Sequence, residues 1–142
     1  MWLFGDPSVP AYPILRPLAE QRVLFFQTEG NLSHPASTPL LADSVLENIL
    51  PLASDLPSED LAKGIRPLDN TDSYFGMALI AIPRHGNRPS SIPKRWPANQ
   101  ALSGAVNVSF FDGHAEQVKL ERLWQLYWHK DYVPPGKRPG LP

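Results

Sequence analysis

Cysteine is absent from this 142-residue chain, which excludes disulfides, zinc–thiolate sites and cysteine nucleophiles. No run of about 18 apolar residues occurs, so no segment reads as a membrane-spanning helix. The N-terminus lacks a basic leader and has early prolines, so it does not read as a signal peptide. A formal net charge of −1 gives no electrostatic case for nucleic acid or an anionic membrane as partner. There is no Gly-x-Ser-x-Gly elbow, and Ser103 and Ser109 read as ordinary loop and strand residues. No phosphate-cradling glycine pattern is present either, and no organic cofactor is expected. The separation of Glu116 from Glu121 predicts no fixed carboxylate pair.

Proline, by contrast, is abundant. The 17 prolines are more than twice the usual share of about 5%. They forbid long helices over most of the chain and favour extended segments and fixed loops. The length suits one domain with one core. Residues 1–17 read as an extended arm, and 18–27 as a short helix or a strand. Leu40–Val45 reads as a buried strand ending near Asp43. Ser58–Ala62 suits one helical turn capped by Ser58, and Met77–Ile82 is the most apolar strand candidate, expected at the centre of the sheet. Residues 84–104 form a long proline-rich excursion, and 132–142 an extended tail.

The most informative stretch runs from Ala105 to Lys119. Val106, Val108 and Phe110 alternate with Asn107 and Ser109, the period-two pattern of a half-buried strand. Asp112-Gly113 follows, a strong hairpin signal that suggests a type I′ turn with positive φ at both positions. A return strand over 114–119 would then feed a short helix over 120–128, with Leu120, Leu123, Trp124 and Tyr127 on one face. The expected fold class is α+β: an antiparallel sheet built on 40–45, 77–82, 105–111 and 114–119, closed by that helix.

Three constellations bear chemistry. If strands 77–82 and 105–111 pair, His85, Asp112 and His114 could converge at one sheet end, where imidazole and carboxylate hold a metal or position a water. The plainer reading makes Asp112 and Gly113 turn-formers, His114 a solvent-facing strand residue and His85 an anchor for the long loop. Asp43, Asp55, Asp69, Asn70 and Asp72 form an oxygen-rich set of the kind calcium takes, or else an ordinary Asx-rich turn. Arg84, Arg88, Lys94 and Arg95 could meet phosphate, although a solvated loop accounts for them as well. Among the aromatics, Trp124 and Tyr127 suit core packing, whereas Trp128 and Tyr132 are expected to reach outside the packed face.

Asn107-Val108-Ser109-Phe110-Phe111-Asp112-Gly113-His114, preceded by Arg84-His85-Gly86, resembles the C-terminal signature of pseudopilin-like proteins, a histidine, nine residues and Asp-Gly. Thr38–Ser44, Ser54–Pro57, Gly64 and Leu123–His129 resemble other parts of that family, over roughly residues 20–135. Two departures stand out. Here 26 residues separate His85 from Asp112, and the hydrophobic spine helix of such proteins has no counterpart in this sequence. The resemblance implies a pilin-like globular head, other pilin-like subunits as partners, and a cell-envelope or extracellular location within type II secretion or type IV pilus machinery. It also makes a structural calcium more plausible without mapping its ligands onto this chain; the residues themselves offer Asp43, Asp69, Asn70, Asp72 and Asp112 as candidates. A rival reading is a calcium- or other metal-assisted hydrolase of a small ester or lactone, using His85, Asp112 and His114. A third is an adhesion or peptide-binding module built on exposed aromatics.

Overall fold

A computed structural model describes residues 26, 28–45, 49–64 and 76–142. The expected arm at 1–17, most of segment 18–27, and the candidate ligands Asp69, Asn70 and Asp72 lie outside those residues.

Strands β1 (Pro39–Ala42), β2 (Ala105–Phe110) and β3 (Ala115–Lys119) form an antiparallel sheet in the order β1-β2-β3. The alternation seen in the sequence sets the faces of β2: Val106, Val108 and Phe110 are buried and Asn107 is exposed. Val106 lies opposite Val118, and Asn107 opposite Gln117. In β1 the register slips between Pro39 and Leu41. That irregularity turns Pro39 inward and leaves Leu41 45% exposed, so the strand predicted over 40–45 is shorter and less buried than expected.

The β2–β3 turn differs from type I′. Gly113 N–H donates to Phe110 O at 3.1 Å and Phe110 N–H to His114 O at 2.9 Å, with Gly113 at φ +94°. This is a three-residue loop, Phe111-Asp112-Gly113, in which a turn is followed by a left-handed glycine bulge. The left-handed demand falls on the glycine, where it costs least.

Met77–Ile82 is not a strand. Met77–Leu79 is a single 3-10 turn, with Ile80 and Ala81 N–H both donating to Met77 O. Every residue from Met77 to Ile82 is at most 4% exposed. A segment buried on all sides carries no amphipathic period, so its apolar run could not distinguish strand from turn. The Asp55 carboxylate fixes the turn instead, accepting from Leu52 N–H at 2.8 Å and Met77 N–H at 2.9 Å. Near residue 60 the cap is likewise different from the one predicted: Asp60, not Ser58, takes the Ala62 and Lys63 N–H groups, at 3.0 and 3.1 Å.

The segment after β3 is a 3-10 helix over Leu120–Gln125 rather than a helix through 128. Its buried Leu120 and Leu123, with Leu126 just beyond, recur at intervals of three, the spacing at which 3-10 side chains eclipse. Trp128 and Tyr132 turn inward, contrary to expectation, at 0% and 4% exposure. Each large core side chain contributes roughly 1.5–3 kcal/mol by burial, provided its polar end is satisfied. Trp124 Nε1 donates to Asp55 O at 2.8 Å, Trp128 Nε1 to Leu123 O at 2.7 Å, and the Tyr132 hydroxyl to Trp124 O at 3.2 Å. Burial pushes the Tyr132 hydroxyl well above its ordinary pKa, with the Asp55 charge adding to the shift. Among the described residues, no helix is long and apolar enough to cross a membrane.

Candidate functional site

The long excursion leaves and re-enters the sheet through a narrow neck. His85 pairs with Ala105 across it, donating its N–H to Ala105 O at 2.9 Å and accepting from Ala105 N–H at 2.8 Å. Gly104 makes the approach possible. It sits at φ +103°, and a Cβ there would lie 2.6 Å from Pro83 Cβ, so both backbone and space demand glycine.

Side chains from three distant segments close this neck. Asp43, just past β1, accepts through Oδ2 from His85 Nε2 at 2.9 Å and from Asn107 N–H at 3.0 Å. The Asn107 side-chain amide lies 3.0 Å from the same imidazole nitrogen. A ring nitrogen carries at most one hydrogen, and a carboxylate only accepts, so that hydrogen belongs on Nε2 facing Asp43. The nearer Asn107 amide atom is Nδ2; with the hydrogen on Nε2, the amide must be turned to present its oxygen if it is to accept from the ring. Backbone pairing continues the joint, with Asp43 N–H donating to Asn107 O at 3.0 Å. Arg84 reaches over to Ser44 O at 3.0 Å. His85 and Asp43 keep 39% and 33% of their side-chain surface, so the cluster is accessible from solvent.

A second imidazole–carboxylate pair occupies the other end of β2. Asp112 Oδ1 accepts from His114 N–H at 3.2 Å and lies 2.5 Å from His114 Nδ1. His114 also stacks on Phe110 with ring centroids 4.4 Å apart. The hydrogen bond from His114, larger than the opposing desolvation, lowers the Asp112 pKa from its ordinary value. The expected convergence of His85, Asp112 and His114 is therefore corrected. His85 pairs with the first residue of β2, whereas Asp112 follows its last, about 17 Å of strand away. The convergence required Met77–Ile82 to be a strand pairing beside β2, and β1 holds that place.

The candidate calcium ligands are dispersed in the same way. Asp43 belongs to the neck and Asp112 to the turn, Asp55 is bonded to backbone N–H groups, and Asp69, Asn70 and Asp72 lie outside the described residues. Among the described residues, no three histidine or acidic side chains gather to hold a metal ion. Ser103 is exposed, and Ser109 makes no hydrogen bond to an imidazole among the described residues. Glu116 and Glu121 face different cations, Arg122 at 2.8 Å and Arg138 at 2.9 Å. Arg84, Arg88, Lys94 and Arg95 are exposed. Their loop is nonetheless docked, through Leu61 N–H on Pro93 O and Trp96 N–H on Glu59 O.

Sequence reasoning named Asp43 and His85 separately and did not join them. It read Asn107 as the polar member of an alternating strand and as part of the resembling signature, not as a site residue. It missed Arg138, whose surroundings of proline, glycine and lysine carry no signal of burial. No protein-family model, curated protein or solved structure matches the chain.

Proposed function

We propose that this chain forms the structural, non-catalytic globular head of a pseudopilin-like protein. It would serve other pilin-like subunits in the cell envelope or outside it, in secretion or pilus machinery. The observation that carries this reading is the His85–Ala105 pairing. Nineteen residues lie between these two positions. The short form of the resembling signature holds nine residues where this chain holds 26 between His85 and Asp112, a difference of 17. Removing that many from within the neck leaves two, the length of the tightest antiparallel turn. The insertion thus fits inside a closed loop, with the histidine and the Asp-Gly turn in one register. The clasp supports the same reading: Asp43, His85 and Asn107 come from three of the separate stretches that carry the resemblance, and their polar groups are used in joining those stretches.

The metal-assisted hydrolase has weaker support, because its proposed acid–base groups sit at opposite ends of β2. A structural calcium remains part of the head-domain proposal, to be tested by melting with calcium and with chelator. The deciding experiment pairs chemical crosslinking of the intact protein to pilin-like subunits with an ester and lactone turnover screen. Specific crosslinks without turnover are expected. Turnover lost in a folded His85→Ala variant would overturn the structural reading.

A further inference from the structure

The last ten residues are fastened chiefly at one point. Arg138 is 3% exposed, and its guanidinium is enclosed by groups outside the tail. Nε donates to Glu121 Oε2 at 2.9 Å, Nη1 to Ala98 O at 2.9 Å and Nη2 to Gln100 O at 2.8 Å. The guanidinium carbon lies 5.5 Å from the centre of the Trp124 ring, in cation–π range. Within the tail, Nη1 donates to Pro139 O at 2.9 Å and the Arg138 carbonyl accepts from Leu141 N–H at 3.3 Å. Glu121 is itself oriented by Leu102 N–H on its other oxygen, and Gly140 passes so close to Ala98 that a Cβ would lie 2.7 Å from its carbonyl oxygen. A planar fork meeting a carboxylate, two carbonyls and an aromatic face is a socket for arginine specifically, since lysine has neither the fork nor the stacking plane.

The connection to this plug is of another character. Val133 is 75% exposed, and Gly136 and Lys137 are exposed beyond it. The hydrogen bond given to residues 133–136 by a side chain outside the tail is Gln125 Nε2 on Pro135 O, at 2.7 Å. Five residues, 133–137, span up to about 17 Å when extended. The same groups would receive an identical segment from a second copy, and exchange of an identical element between copies is a low-cost route to dimers. We propose that the socket formed by Glu121, Trp124 and the Ala98 and Gln100 carbonyls also accepts the Arg138-Pro139-Gly140 segment of a second copy, linking two copies by tail exchange. This inference is independent of the head-domain reading.

The test mixes two variants of the full chain. Arg138→Ala retains an intact socket and lacks the plug, while Glu121→Gln retains the plug and weakens its hold. Sedimentation velocity should show a heterodimer in the mixture that neither variant forms alone. A mixture that stays monomeric, with both variants folded by near-ultraviolet circular dichroism, would overturn the proposal. A second measurement titrates a peptide of residues 133–142 into Arg138→Ala and follows tryptophan fluorescence. The matching peptide with alanine for arginine should bind at least about tenfold more weakly, the effect of losing a charge-assisted pair. Equal binding by both peptides, or none by either, counts against the socket. Should Arg138→Ala fail to fold, Arg138→Lys replaces it in both measurements, because it keeps the charge and loses the fork.

Discussion

The two imidazole–carboxylate pairs at the ends of β2 use the same chemistry for different purposes. Asp112 and His114 are two residues apart and stabilise the turn that contains them, whereas Asp43 and His85 are 42 residues apart and join segments that nothing local holds together. Solvent reaches both pairs to a similar degree, so burial does not separate them. Chain topology does. A local pair restrains residues that the hairpin already orders, while a distant pair closes a loop whose ordering must be offset by the contacts made there. The neck should therefore dominate the energetics.

The largest expected effect is at the neck's glycine. Gly104→Ala combines an unfavourable φ with a contact against Pro83, and should destabilise by about 2–4 kcal/mol in denaturant unfolding. A loss below about 1 kcal/mol would show that the neck opens at little cost, and the comparison would collapse. His85→Ala should follow, at about 1–2 kcal/mol. A double-mutant cycle with Asp43→Asn should recover a coupling of at least about 0.5 kcal/mol, and strict additivity would mean that the clasp is only a contact. At the other end, Gly113→Val meets open space, so it should cost only the backbone term, about 1–2 kcal/mol. An unchanged melting temperature would remove the hairpin assignment.

The smallest effect concerns Asp112. Its folded pKa is lowered below the ordinary 3.8, so its carboxylate favours folding above that value and loses this contribution as pH falls through the depressed pKa. The melting-temperature difference between wild type and Asp112→Asn should be small at pH 5, because the pair is solvent-screened. It should shrink further on acidification. A difference that grows in acid would reverse the sign and refute the pairing.

The parts of the fold that were legible in the sequence are those governed by local periodicity. Val106, Val108 and Phe110 announced β2, and Asp112-Gly113 announced its turn, although a three-residue loop replaced the tighter form. Met77–Ile82 was misread because full burial erases periodicity. Residues 120–128 were read as an ordinary helix because spacings of three and four both fit so short a run. The clasp was illegible for another reason: Asp43, His85 and Asn107 acquire their meaning only when register brings them together. Arg138 lies further still from local reading, since its burial depends on loop carbonyls some 40 residues away.

The closed neck also bears on chain continuity. Gly86, Asn87 and Arg88 lie exposed just beyond it, where a protease finds its easiest access. A cut there would separate β1 and His85 on one fragment from β2, β3 and the arginine socket on the other. The β1–β2 ladder, the His85–Ala105 bonds and the hydrogen bonds between Asp43 and Asn107 would then be contacts between fragments. Two pieces expressed separately should reassemble into one particle, which would make the excursion a natural split point for fragment-complementation reporters.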